Sequence, residues 1–155
     1  MSILNNLEVR NLYDRMADSY DTWLTGFRLL GLGRWRSRLI NELKLSTGDT
    51  VVDLCCGGGQ NFELLQDAIG PDGHIIGIDL SAGMLAKAQA EAVRLGIRDI
   101  ELIQGDVGDY ELSPGIDGVI STFGLEMVPS YPQIIERVNT NLNENGRLGL
   151  LGLKY

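Results

Sequence analysis

Hydrophobic and polar positions along this chain follow two regimes that change at Thr50. Before it, apolar positions recur at helical spacing. Val9, Leu12, Tyr13, Met16 and Tyr20 stand three and four residues apart, which predicts a helix from about Glu8 to Tyr20. A linker containing glycine follows from Gly26 to Gly33. Trp35, Leu39, Ile40 and Leu43 then share one side of a second helix near Arg34–Leu43. Ser46-Thr47-Gly48-Asp49 reads as a turn.

From Thr50 onward, short apolar runs alternate with helix-period segments. The pattern predicts strands at Thr50–Leu54, His74–Asp79, Ile100–Gln104, Gly118–Thr122 and Arg147–Leu153. A helix is expected from about Gly59 to Ile69, ended by the turn Gly70-Pro71-Asp72-Gly73. Ser81 suits the N-cap of a helix holding Met84, Leu85, Ala88, Ala92 and Leu95, and Gly96 suits its end. A last helix follows Pro129 and runs to about Leu142, before the turn Asn143-Glu144-Asn145-Gly146. Strands alternating with helices imply an α/β fold, a doubly wound and mostly parallel sheet with helices on both faces. Ligands of such sheets bind in the crevice beyond the strand C-termini. Residues 1–45 are expected to form a helical cap and 46–155 the ligand-binding part of one structural domain.

Composition narrows the class. The chain has 155 residues, 44% of them apolar and 22% charged, as in an ordinary globular domain. No apolar run approaches the ~18 residues of a membrane span. Asn5, Asn6, Glu8 and Arg10 interrupt any signal-peptide pattern, so a cytoplasmic location is expected. A net charge of −8 argues against a general nucleic-acid binder. The charge is uneven: residues 1–44 carry seven Lys/Arg against five Asp/Glu. Arg28, Arg34, Arg36, Arg38 and Lys44, interleaved with Trp23, Phe27 and Trp35, form a candidate contact with an anionic lipid surface. The simpler reading is a solvated helix face with its tryptophan in the core. The only cysteines, Cys55 and Cys56, lack zinc spacing and read as small buried residues at a strand end; no metal is expected.

Candidate chemistry clusters at the predicted strand ends. Asp53, Asp79 and Asp106 fall at or just beyond the ends of three successive strands. Gly57-Gly58-Gly59 after the first strand is a turn whose backbone can approach a ligand at a helix N-terminus. Asp79 lies twenty-two residues beyond Gly57, where an acid accepts hydrogen bonds from ribose hydroxyls. A nicotinamide dinucleotide is the obvious competitor. Its third fingerprint glycine is replaced here by Phe62, and Asp53 would repel a pyrophosphate but suit an ammonium group. His74 sits beside a Pro-Asp-Gly turn and reads as surface, so no catalytic acid or base is assigned. Glu126 reads equally as a solvated loop acid or as part of a substrate pocket.

These residues carry a resemblance. Asp53-x-Cys55-x-Gly57-x-Gly59, Gly77-Ile78-Asp79-Leu80-Ser81, Gln104-Gly105-Asp106-Val107, Asp117 to Leu125 and Leu142 to Leu148 resemble, in order, the motifs of class I S-adenosylmethionine-dependent methyltransferases. Cys55 stands where the family's first motif has a glycine. With Tyr13 to Asp21, the pattern is similar to the ubiquinone/menaquinone-biosynthesis C-methyltransferase branch. The resemblance implies a Rossmann-like sheet of order 3-2-1-4-5 and S-adenosyl-L-methionine as cofactor. It implies that Asp53 and the Gly57–Gly59 backbone hold the amino-acid end, and that Asp79, with Leu80 beside it, binds the ribose. Met84 is expected against the adenine, Asp106 and the Val107 N–H at its edge, Thr122 and Phe123 near the sulfonium, and Tyr20 and Tyr13 closing the site. The acceptor is expected to be a small molecule or lipid. The family's sixth and seventh strands are not in the sequence, so strand five would be an apolar edge open to a homodimer. A non-catalytic or truncated S-adenosylmethionine-binding module and a nicotinamide-dependent oxidoreductase are the alternatives.

Overall fold

The structure, a computed structural model, describes Glu8, Asn11 and residues 31–152. The helix expected before Tyr20, Tyr13 and Tyr20 themselves, Trp23, Phe27, Arg28 and the last residue of strand five, Leu153, lie outside the described residues.

The described chain runs α1 (Leu32–Glu42), β1 (Thr50–Leu54), α2 (Phe62–Ile69), β2 (His74–Asp79), α3 (Ala82–Leu95), β3 (Ile100–Gln104), β4 (Ile116–Thr122), a 3-10 turn (Leu125–Met127), α4 (Tyr131–Asn141) and β5 (Leu142–Leu151). The five strands form one sheet of order β3-β2-β1-β4-β5, every pair parallel. This is the expected order. β1 is central, and Val51, Val52, Asp53 and Leu54 are each 0–1% exposed. Strands buried on both faces cannot alternate apolar with polar, which is why these segments read as continuous apolar runs.

Each face has its own core. On one, Val51, Ile75 and Ile120 of the sheet pack with Ile40 of α1, Phe62, Leu65 and Ile69 of α2, and Ala88 and Ala92 of α3. On the other, Val52, Leu54, Ile78 and Val119 pack with Ile134 and Val138 of α4. The α3 ends match their sequence signals. Ser81 Oγ accepts from the Met84 N–H at 3.1 Å, and Gly96 closes the helix at φ 69°.

Three boundaries differ from expectation. α2 starts at Phe62 rather than near Gly59, because Gly57 and Gly59 stand at φ 55° and 83°, outside the helical region. β4 starts at Ile116, whose 3% exposure places it in the core opposite Leu142 of β5. The expected turn Asn143–Gly146 is an excursion inside β5. Its register passes from Leu142 opposite Ile116 to Arg147 opposite Gly118. Asp117 holds that corner: its carboxylate accepts from the Thr50 N–H and from Asn143 Nδ2. A further correction concerns Trp35. It is 55% exposed on the outer face of α1 between Arg34 and Arg38, not in the core. Of the cysteines, Cys56 is buried as expected and Cys55 is partly exposed.

Candidate cofactor site

The C-terminal ends of β1, β2, β3 and β4 converge on the glycine turn. Asp53, the fourth residue of β1, is fully buried. Both its oxygens accept from Asn61 Nδ2, at 3.2 and 3.1 Å. The same amide reaches Thr122 Oγ1 at 3.2 Å, and Arg36 Nε of α1 approaches that hydroxyl at 3.5 Å. The Arg36 guanidinium also lies 5.4 Å from the centroid of the Phe123 ring, in cation–π range. Burial pushes the Asp53 carboxyl up from its usual 3.8 to about 7; the Asn61 hydrogen bonds and the Arg36 charge oppose the rise, and Asp79 adds to it. Asp53 is thus closed off behind Asn61, itself 2% exposed.

The turn itself is shaped by backbone rather than side chains. Cys55 adopts φ 59°. It is a non-glycine residue in the left-handed region, at the position where the resembled motif has glycine. Gly59 has no freedom to change: a β-carbon there would lie 2.6 Å from Phe62 Cδ2. Phe62, the residue in place of a dinucleotide fold's third glycine, thus fills the underside of the turn with a buried ring. Asp79 stitches the turn to α3. Its Oδ2 accepts from the Gly57 N–H at 2.8 Å and its Oδ1 from the Ser81 N–H at 2.9 Å.

Carboxylates gather at the crevice, with Arg36 the cation among them. Burial raises the Cys55 thiol pKa well above the usual thiol range, and the charges of Asp79, Asp53, Glu126 and Asp106 raise it further. Four carboxylates from four different segments therefore bear on one side chain. Glu126, from the 3-10 turn after β4, lies close enough to Gly152 that a β-carbon there would meet its carboxyl at 3.0 Å. No group of His, Cys, Asp and Glu among the described residues could hold a metal.

The other expected residues fall as follows. Leu80 sits beside Asp79 and its carbonyl accepts from Gln104 Nε2 at 3.5 Å. Met84 is 1% exposed and offers little surface to a ligand in this state. Asp106 opens the β3–β4 loop with Val107 behind it, 5% exposed. Phe123 follows Thr122 at φ 59°, its N–H donating to the Leu151 carbonyl at 2.6 Å. Tyr20 lies outside the described residues. His74 pairs with Asp99 at 2.7 Å, away from the crevice residues. Sequence reasoning missed Asn61 and Arg137, and it set Arg36 in the candidate lipid-facing run, whereas the structure turns Arg36 inward onto Thr122 and Phe123. Arg36 alone left a signal, since it shares the spacing of buried Ile40 and Leu43 and so stands on the inward face of α1.

The description "methyltransferase domain" belongs to the family model that matches residues 51–146. The chain belongs to this methyltransferase family. Among curated proteins, it is 31% identical to a demethylmenaquinone methyltransferase of Lactobacillus johnsonii over 156 residues, covering 97% of this chain and 64% of that protein. A demethylmenaquinone methyltransferase of Listeria monocytogenes is 26% identical, over 93% of this chain and 61% of that protein. The chain thus spans a little over three-fifths of the length of these relatives. Among solved structures, the DhpI–SAH complex superposes with a TM-score of 0.74 at 22% identity, over 90% of this chain and 65% of that one. A SAM-dependent methyltransferase from Aquifex aeolicus gives 0.68 at 20% identity, over 77% of this chain and 64% of that one. These likenesses show that the chain shares their fold.

Proposed function

We propose that this methyltransferase binds S-adenosyl-L-methionine at the ends of β1, β2 and β3 and transfers its methyl group to a small aromatic acceptor, a demethylnaphthoquinol. The observation that carries the reading is the placement of Asp53, Asp79 and Asp106 at or just beyond the ends of the neighbouring strands β1, β2 and β3, with Asp79 bonded to a turn whose Gly57 and Gly59 stand at positive φ. A carboxylate-rich crevice lined by open backbone suits a ligand bearing both an ammonium and a sulfonium, and opposes the pyrophosphate of a nicotinamide dinucleotide. The relatives named demethylmenaquinone methyltransferase supply the acceptor class.

The protein's part is binding and orientation. The Oδ1 of Asn61, whose Nδ2 is held by Asp53, accepts from the ammonium end. Arg36, already over Phe123, pairs with the carboxylate beside it. Asp79 and Asp106 take the ribose and adenine. The bound sulfonium supplies an activated methyl with its own leaving group. Thr122, Phe123 and Glu126 line the side from which the acceptor approaches, and in-line placement there is worth ~7–11 kcal/mol.

The test supplies methyl-labelled S-adenosylmethionine and a reduced short-chain demethylnaphthoquinone to the full chain. Labelled methylnaphthoquinol by mass spectrometry supports the proposal. Cofactor binding without transfer to the quinol would refute the catalytic reading and leave a cofactor-binding module.

A lipid-borne acceptor places the reaction at a membrane surface, approached from the cytoplasm. No helix among the described residues is long and apolar enough to cross a membrane. Exposed Trp35 between Arg34 and Arg38 has the chemistry of an interfacial anchor on an otherwise acidic chain. Co-sedimentation with anionic but not zwitterionic vesicles, lost in Trp35→Ala, is expected; equal binding to both removes the electrostatic part. The outer edge of β5, with Leu150 42% exposed, is the proposed surface for self-association. Light scattering showing a monomer at high concentration counts against it.

A further inference from the structure

The β3–β4 loop is shaped partly from within. Asp106 Oδ1 accepts from the Gly108 N–H at 2.7 Å. The Asp106 carbonyl accepts from the Asp109 and Tyr110 N–H groups at 3.0 and 3.1 Å. Two further bonds come from outside the loop. Arg137 of α4 donates through Nη2 to the carbonyl of Val107 at 3.0 Å and to that of Gly108 at 2.9 Å.

The Val107 carbonyl and the Gly108 N–H belong to one peptide unit. A trans peptide is a rigid plate with its oxygen and hydrogen on opposite sides. Here Arg137 holds the oxygen and the Asp106 carboxylate takes the hydrogen. The plate transmits the position of a guanidinium on α4 to the direction of a carboxylate at the end of β3. There is little slack in it. A β-carbon on Gly108 would lie 2.9 Å from Ser130 Oγ and 3.0 Å from Asp106 Oδ1, and Ser130 is the residue that precedes α4. Loop and helix therefore meet at two points.

Arg137 is also costly where it stands. Its Nε is buried with no hydrogen-bond partner. An unsatisfied buried donor weakens the fold, and a shape-matched apolar side chain would avoid that penalty. The guanidinium is explained by what its other nitrogen orients.

We propose that Arg137 is a positioning residue for purine recognition. Acting through the Val107–Gly108 peptide, it aims the Asp106 carboxylate at the exocyclic amine of the cofactor's adenine. The inference rests on the reading of the crevice as an S-adenosylmethionine site.

The test compares wild type, Arg137→Met and Arg137→Lys as full chains, each checked for cooperative thermal unfolding. Calorimetry measures S-adenosylhomocysteine against S-inosylhomocysteine, which has a carbonyl in place of the amine. Hydrogen exchange of the Gly108 N–H is followed without ligand. Wild type should prefer the adenosyl ligand by at least about tenfold, the discrimination one such hydrogen bond gives. Arg137→Met should cut that preference to within about threefold and speed Gly108 exchange at least about tenfold, while the inosyl affinity changes little. Arg137→Lys, whose ammonium can still bridge both carbonyls, should keep most of both properties. A folded Met variant with unchanged preference and unchanged exchange overturns the proposal. If the Met variant does not fold, Arg137→Gln, which keeps one donor, is read in its place: partial loss supports the proposal and no loss overturns it. Failure of wild type to bind either ligand would instead refute the cofactor reading itself.

Discussion

Replacing Asp53 with asparagine should stabilise this chain in alkaline solution while weakening the proposed hold on the cofactor. Asp53 is fully buried, and its carboxyl is raised from the usual 3.8 to about 7. Between those values the folded chain keeps a proton that the unfolded chain has released. The folded state thus binds more protons in that window, so stability falls as pH rises from about 4 to about 7. The gap of about three pH units corresponds to about 4 kcal/mol of stability lost by pH 8. An asparagine is neutral and similar in shape, so it avoids this loss. The Asn61 hydrogen bond is already counted in the raised carboxyl, so the expected gain is about 4 kcal/mol at pH 8, shrinking towards pH 5. Urea unfolding across pH 5 to 8.5 measures it. A variant less stable than wild type at pH 8, or a difference that does not change with pH, would refute the reasoning. A cationic ligand above Asp53 should also expel its proton. Titration with S-adenosylmethionine at pH 7 in buffers of different ionisation enthalpy should show release of about half a proton, absent from the variant.

Other expectations follow from the same geometry. Asp79→Ala removes the proposed ribose acceptor and the stitch between the glycine turn and α3. S-adenosylhomocysteine affinity should drop by at least about tenfold by calorimetry, and an unchanged affinity would take Asp79 out of the site. Gly59→Ala forces a β-carbon to within 2.6 Å of the buried Phe62 ring at φ 83° and should cost about 2–3 kcal/mol or abolish soluble expression. Cys55→Gly relieves a left-handed non-glycine residue and should raise stability by about 0.5–1 kcal/mol in thermal unfolding; a loss would mean that Cys55 packing outweighs its backbone strain. Both thiols are pushed above the usual thiol range by burial and nearby carboxylates. Iodoacetamide at pH 8 should therefore label the folded protein far more slowly than the urea-unfolded chain.

Much of this fold is legible in the chain because its local signals agree with the packing. β1, β2 and β3 are β-branched apolar runs bounded by turns, and their ends fall where the pattern places them. Ser81 and Gly96 mark both ends of α3 through backbone chemistry that each residue carries alone. Where tertiary contacts decide, the pattern misleads. Asn143–Gly146 has turn composition, yet β5 runs through it because Asp117 takes Asn143 and the strand re-pairs at Arg147. Trp35 sits at helical spacing with Leu39 and Leu43, but it lies on the outer edge of that stripe and α1 turns it to solvent.

The candidate site divides the same way. Asp53, Gly57, Asp79 and Asp106 stand at strand ends that hydrophobic periodicity locates. Arg36, Asn61 and Arg137 act on partners 86, 61 and 30 residues away, and of the three only Arg36 leaves a periodic trace, at the spacing of Ile40 and Leu43. The resembled motif names the glycine turn, and the structure adds that Phe62 packs beneath it and Asn61 covers Asp53.

Calorimetry with S-adenosylmethionine, S-adenosylhomocysteine and NAD tests the central claim most directly. The carboxylate-rich crevice predicts saturable one-to-one binding of the first two and no heat from NAD. No binding of either sulfur ligand, or binding of NAD in their place, would contradict it.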